Sequence, residues 1–247
     1  MSNRLWFEQA LLPGGWERDV RFTIEAGLIA RIETNVAHAP EDDTHVIAIP
    51  GLPNLHSHAF QRAMAGLAET RGPENDSFWT WRELMYRFVA KLDPDQFEAI
   101  AAMAFAEMLE SGFTRVGEFH YLHHTPDGES HADPAEMSAR VAAAASQTGI
   151  GLTLLPVFYA HSAFGGAEPK PGQRRFIHDV SGFARLLDGA RKAVSSLGDA
   201  VVGVAPHSLR AVTPEELKDV ARLAGDAPIH IHIAEQTAEV EACLAWS

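Results

Sequence analysis

Leu152-Thr153-Leu154-Leu155-Pro156-Val157-Phe158 is an almost unbroken apolar run of strand length. A strand with one wet face alternates apolar and polar residues, and this one does not. It reads as a strand buried on both faces, the habit of parallel sheets covered by helices. Outward from it, strands are expected at Val46 to Leu55, Thr114 to Phe119, Val201 to Ala205 and Pro228 to Ile233. Helix starts lie between them. Asp93-Pro94-Asp95-Gln96 offers an N-cap, a proline at the first helical position and a capping-box partner. Asp133-Pro134-Ala135-Glu136 and Thr213-Pro214-Glu215-Glu216 repeat the device. Gly112 and Gly149 stand where a left-handed glycine ends a helix. Strands separated by helices imply parallel βαβ units.

Residues 1–47 have a different texture. Val20, Phe22 and Ile24 alternate with polar residues, Ala26-Gly27 makes a turn, and Leu28 to Ile32 returns. That is a hairpin by period and turn chemistry. The expected fold is α/β: a partial (β/α)8 TIM barrel of about five βα units over 48–247, preceded by part of a small N-terminal β-sandwich domain over 1–47. The residues with chemical potential follow the strand ends, where such a barrel builds its active site. Ala238 to Trp246 reads as a helix that stops without a cap, so the chain is expected to be truncated after the fifth strand.

The 247 residues carry 20 Lys+Arg against 33 Asp+Glu, a formal net charge of -13. That balance argues against nucleic acid, whose phosphates need a basic surface. It leaves room for an anionic small molecule, because a few local arginines override the global field. Cys243 is the only cysteine, which excludes a disulfide framework and suits a reducing compartment. Met1-Ser2-Asn3-Arg4-Leu5-Trp6 has no long apolar segment, and no run is long enough to span a bilayer. A cytoplasmic location without membrane contact is the expectation.

Leu55-His56-Ser57-His58 closes the first barrel strand. Side chains at i and i+2 of a strand point the same way, so two imidazoles can hold one metal ion from a rigid element. His232 ends the fifth strand and offers a third nitrogen. Glu235, three residues on, is placed to move protons without being a ligand. His230 shares parity with His232 but lies deeper in the strand. His120-Tyr121-Leu122-His123-His124 is either a second metal site or a polar loop, with Tyr121 suited to hydrogen-bond a substrate. Arg210, in His207-Ser208-Leu209-Arg210, is either a carboxylate clamp or a surface residue. Phe78-Trp79-Thr80-Trp81-Arg82 reads as a lid or as core aromatics.

These residues resemble the amidohydrolase superfamily. Its members carry HxH after the first barrel strand, and the His232 to Glu235 spacing is similar to that of the deaminase branch. His56-Ser57-His58-Ala59-Phe60-Gln61-Arg62, Phe119-His120-Tyr121-Leu122-His123-His124, Phe78-Trp79-Thr80-Trp81-Arg82 and Pro206-His207-Ser208-Leu209-Arg210 together resemble the formimidoylglutamate deiminases of histidine degradation. The resemblance implies hydrolysis of N-formimino-L-glutamate to N-formyl-L-glutamate and ammonia by a cytoplasmic, homodimeric enzyme. It implies one Zn2+ per chain, or another divalent metal, on His56, His58 and His232, with Glu235 as proton shuttle. It implies that Gln61, Arg82, Tyr121, His207 and Arg210 hold a dicarboxylate substrate. The family also uses a further His after strand six and an Asp after strand eight, so this chain alone is expected to be inactive. Two other readings stand beside this one. One is a superfamily deaminase or chlorohydrolase for a purine, pyrimidine or triazine; the other is an inactive metal-binding fragment.

Overall fold

Proline and glycine decide where the first half of the chain is cut. The computed structural model describes residues 3–69, 77–233 and 235–247. Strands β1 (Asn3–Leu12), β2 (Gly15–Glu25), β3 (Leu28–Glu33) and β4 (Asp43–Ala48) form one four-stranded sheet in the order β3-β2-β1-β4. The expected hairpin is there: β2 and β3 pair antiparallel, and the turn uses left-handed Ala26 and Gly27. β4 pairs parallel with β1. The expected single strand Val46 to Leu55 is therefore two, because β5 (Leu52–Ser57) belongs to the barrel sheet. Pro50-Gly51 separates them: proline gives no ladder donor and glycine lets the chain turn. The chain forms two compact units, Met1–Leu52 and Pro53–Ser247.

In the second unit strands and helices alternate as expected. β5 lies beside β6 (Phe113–His120), then β7 (Gly151–Phe158), then the two-residue β8 (Val201–Val202). β9 (Ala205–Pro206) continues the pairing along β7. β6 to β7 and β7 to β8 are parallel. The helices are α1 (Phe78–Val89), α2 (Pro94–Glu110), α3 (Glu136–Thr148), α4 (Val180–Ala193), α5 (Pro214–Ala224) and α6 (Thr237–Trp246). Asp93 and Thr213 cap α2 and α5 with full capping boxes, as read from the sequence. Asp133 does not cap α3. Its carboxylate accepts from Ala135 N and makes a turn, so the helix starts at Glu136. No helix among the described residues is long and apolar enough to cross a membrane.

The expected strands at 201–205 and 228–233 are much reduced. Ladder pairing with β7 is interrupted at residues 203–204, between β8 and β9, without a change of register, and among the described residues the 228–233 segment makes only two bridges, Val204 to Ile229 and Ser208 to His232. Pro228 cannot donate, and among the described residues the segment is paired on one side only. The barrel core packs α2 and α3 against β6 and β7, through Phe97, Phe105, Val116, Val141, Leu152 and Leu154.

Part of that core is polar. His120 and His123 are fully buried with ring centroids 5.0 Å apart, and His178 lies 5.0 Å beyond His123. Burial holds all three below the ordinary histidine value, His120 and His178 at about 3. An unfolded chain protonates such rings below about pH 6.5. The native chain does not until far lower pH, so their contribution is present above 6.5 and lost as pH falls towards 3. Glu118 acts in the opposite sense. Burial pushes its carboxyl up to about 8, so its contribution is lost as pH rises through that value. Three rings outweigh one carboxyl on the acid side. His120→Leu should therefore lose less stability than the wild type between pH 7 and 5, read as the change in Tm. An unaltered acid limb would show that His120 does not carry it.

Candidate metal centre and its pocket

The parity of β6 sorts its residues. Phe119 and Tyr121, two apart, face one side; Glu118 and His120 face the other, as pleating requires. The Phe119 ring packs against His58 and His232, with centroids 5.3 and 4.2 Å away. Tyr121 enters the pocket, while His120 lies against Phe97 of α2. Glu118, completely buried, accepts Ala59 N–H at 2.7 Å and so braces the turn after His58 from behind.

His56, His58 and His232 converge, with one ring nitrogen of each within 4.8 Å of the others. His56 and His58 come from the end of β5. His232 is brought in by backbone bonds to the fourth strand region: Val204 N to Pro228 O, His230 N to Val204 O and His232 N to His207 O, each 3.0 Å. Gly203 permits this approach, because a Cβ there would lie 2.3 Å from Pro228 O. His230 is not in the group, and neither is the His120 to His124 loop.

All three rings are held neutral. Burial lowers His58 to about 3 and His232 to about 4, and burial is also the main cause that lowers His56. His58 Nδ1–H donates to Phe119 O at 2.8 Å, which leaves Nε2 as a free lone pair. The Nε2 atoms of His56 and His232 are 3.1 Å apart. Two nitrogens at zinc distances and a tetrahedral angle would stand about 3.3 Å apart. Neutral nitrogens this close repel unless a proton or a cation lies between them. The donor set and its spacing fit a zinc-type ion.

The same cavity, about 390 Å³, holds every other residue expected at the site: Gln61, Arg82, Tyr121, His207, Arg210 and Glu235. Gln61 Nε2 donates to the Tyr121 hydroxyl at 2.8 Å. His207 is buried and held well below the ordinary value by burial. Glu235 lies outside the three-histidine group, and burial raises its carboxyl above the ordinary range. Arg82 sits on α1 over the Trp79 ring, 4.5 Å from its centroid. Neither Arg82 nor Arg210 has an ion-pair partner among the described residues, and the Nε of each is buried without a hydrogen bond. The aromatic stretch is divided, with Phe78 and Trp81 facing the cavity and Trp79 41% exposed. Sequence reasoning missed Tyr86, Tyr159 and Phe176, which also line it. Tyr159 directly follows β7, and the strand-end rule that found His56 and Tyr121 would have found it.

Residues 47–246 match the amidohydrolase family model, and the chain belongs to that family. Residues 5–46 match the model described as formimidoylglutamate deiminase HutF, N-terminal domain. The chain is 54% identical to the formimidoylglutamate deiminase of Pseudomonas aeruginosa over 98% of its own length and 54% of that protein's. It is 27% identical to 8-oxoguanine deaminase of the same organism, over 82% of this chain and 43% of that one. A crystal structure of an amidohydrolase from Brucella melitensis superposes with a TM-score of 0.96 at 58% identity, covering 99% of this chain and 55% of that one. The chain spans about half the length of the curated relatives it matches.

Gly203 gives a test that touches no candidate ligand. Gly203→Ala should force the 228–232 segment outward, at about 1–3 kcal/mol for overpacking. Denaturant unfolding should show that loss, and divalent-metal affinity should fall with it. Unchanged affinity would mean that His232 does not depend on this approach.

Proposed function

We propose that the complete protein containing these residues hydrolyses N-formimino-L-glutamate to N-formyl-L-glutamate and ammonia. One observation carries the reading: a single pocket holds three neutral, convergent imidazoles and two arginines without carboxylate partners among the described residues. Buried charge calls for a counter-charge. In a chain of net charge -13, two cavity arginines with no ion-pair partner among the described residues suit a ligand with two carboxylates. The likeness to a formimidoylglutamate deiminase supports the same substrate.

His56, His58 and His232 would hold the metal, zinc by their all-nitrogen donor set. When bound, it supplies Lewis acidity that makes water a usable nucleophile near neutral pH. Arg82 and Arg210 would pair with the two carboxylates and fix the formimino carbon near the imidazoles. Tyr121, steadied by Gln61, and His207 would hydrogen-bond the reacting end. Water adds to the formimino carbon, and the C–N bond to the terminal nitrogen breaks. Glu235 would take the two protons of that water one after the other and deliver both to the terminal nitrogen, which leaves as ammonia while the oxygen stays on carbon as the formyl C=O. Its raised pKa suits a group that must both accept and return a proton. Histidine degradation, a cytoplasmic location and a homodimer come with this reading through the resemblance.

His56→Ala and His232→Ala should strongly reduce zinc content by elemental analysis, and wild-type content in both would remove the metal assignment. Glu235→Gln should keep its zinc and lose turnover by roughly 10²–10⁴-fold. Loss of zinc with normal turnover per bound ion would give Glu235 the opposite role. Arg210→Met should lower kcat/KM for N-formimino-L-glutamate by a few orders of magnitude, since breaking a buried charge pair costs about 3–5 kcal/mol. Zinc content should not change. Ammonia release from a neutral heterocyclic amine but not from N-formimino-L-glutamate would replace the substrate reading altogether.

A further inference from the structure

Tyr159 is 3% exposed, lines the pocket and packs its ring on His207 with centroids 4.5 Å apart. Its hydroxyl oxygen accepts Gln173 Nε2–H at 2.7 Å. Gln173 is 2% exposed and does not line the pocket. The other end of its amide is fixed too, because Oε1 accepts Lys170 N–H at 2.7 Å. A backbone N–H can only donate, so the amide cannot turn over. Its oxygen accepts from Lys170 and its NH2 donates to Tyr159, with the Tyr86 phenol also within hydrogen-bond reach of the amide. The hydroxyl hydrogen of Tyr159 then has no acceptor among the described residues.

The loop that carries Gln173 has little freedom. A Cβ on Gly172 would lie 2.8 Å from the Tyr86 ring of α1, so the loop is seated directly on the helix that carries Arg82. Burial, the largest cause, raises the Tyr159 phenol above its ordinary value, so it keeps its hydrogen at neutral pH. A buried O–H donor that lacks an acceptor is costly unless a ligand supplies one. The cavity it borders also contains Arg82 and Arg210, which call for carboxylate oxygens.

We propose that Tyr159 is a specificity residue that donates its hydroxyl hydrogen to a substrate carboxylate, and that Gln173 is the positioning residue that keeps this hydrogen available to the ligand. The inference rests on the dicarboxylate reading above and extends it to a second layer. Arg82 and Arg210 supply charge, and the Gln173–Tyr159 pair supplies direction. A neutral ligand of the same shape would gain little from Tyr159.

The test compares Tyr159→Phe, Gln173→Glu and the double variant in the zinc-loaded complete protein, with Tm and zinc content as controls. Tyr159→Phe removes one oxygen. A carboxylate at 173 keeps the Lys170 bond but accepts from Tyr159, which draws the hydrogen away from the pocket. Each single variant should raise KM for N-formimino-L-glutamate by roughly ten- to a hundredfold, the range of a hydrogen bond to a charged group. The kcat should stay within about threefold, as expected for lost uniform binding. The affinity for N-formyl-L-glutamate, read by calorimetry, should weaken in parallel. The double variant should be no worse than Tyr159→Phe, because Gln173 is proposed to reach the ligand through that hydroxyl. A KM within twofold of wild type for Tyr159→Phe overturns the proposal, and so does a Gln173→Glu penalty that persists undiminished in the double variant. If Gln173→Glu does not fold, Tyr159→Phe decides alone. A wild-type protein that neither turns over N-formimino-L-glutamate nor binds the product overturns the dicarboxylate reading itself; normal wild-type turnover with an indifferent Tyr159→Phe overturns only this inference.

Discussion

One nitrogen from each of three neutral imidazoles has to meet the others within 4.8 Å, from strand ends 174 residues apart in the chain (58 to 232). Such a meeting is unfavourable for the bare rings, since their lone pairs face one another. The surrounding structure imposes it. Phe119 packs against all three rings and fixes the tautomer of His58 through its carbonyl. Glu118 braces the following turn, and Gly203 lets the fifth segment come close enough for His232 to arrive. Burial disfavours the imidazolium forms, so the site resists protons and is prepared for a metal cation.

The second constraint is electrostatic. The chain is acidic as a whole, so a dicarboxylate ligand of the kind proposed meets a repulsive average field. Exposed charges are screened beyond about 8 Å at physiological ionic strength, whereas a partly buried arginine is screened much less. Local charge in the cavity therefore outweighs the global balance. Among the described residues neither Arg82 nor Arg210 has a carboxylate partner, and Arg82 rests on aromatic faces instead. Glu235 shares the cavity with them. Its burial outweighs their attraction, so its carboxyl lies above the ordinary range rather than below it.

Much of this was legible in the sequence because it obeys two periodicities. The run Leu152 to Phe158 and the capped helices around it gave the parallel architecture, and HxH at a strand end gave two of the three rings. What could not be read follows from chain geometry that periodicity does not encode. Val46 to Leu55 looks like one strand, but Pro50-Gly51 divides it between two sheets. The His120 to His124 cluster could be read as a second metal site or as a polar loop; pleating instead sends Tyr121 into the cavity and His120 into the packing against α2. Tyr159 escaped notice for the converse reason: at the end of an apolar run it reads as core. Gln173, remote from every motif, acquires meaning only through the two hydrogen bonds that fix its amide.

The central claim is that one cavity joins a three-histidine metal centre to a two-arginine carboxylate clamp. Anomalous diffraction at the zinc edge from crystals of the complete protein with zinc and N-formyl-L-glutamate tests both halves in one map. The account predicts a single strong peak bounded by His56, His58 and His232, with the ligand's carboxylates on Arg82 and Arg210. A peak elsewhere, or a ligand whose carboxylates avoid both arginines, would contradict it.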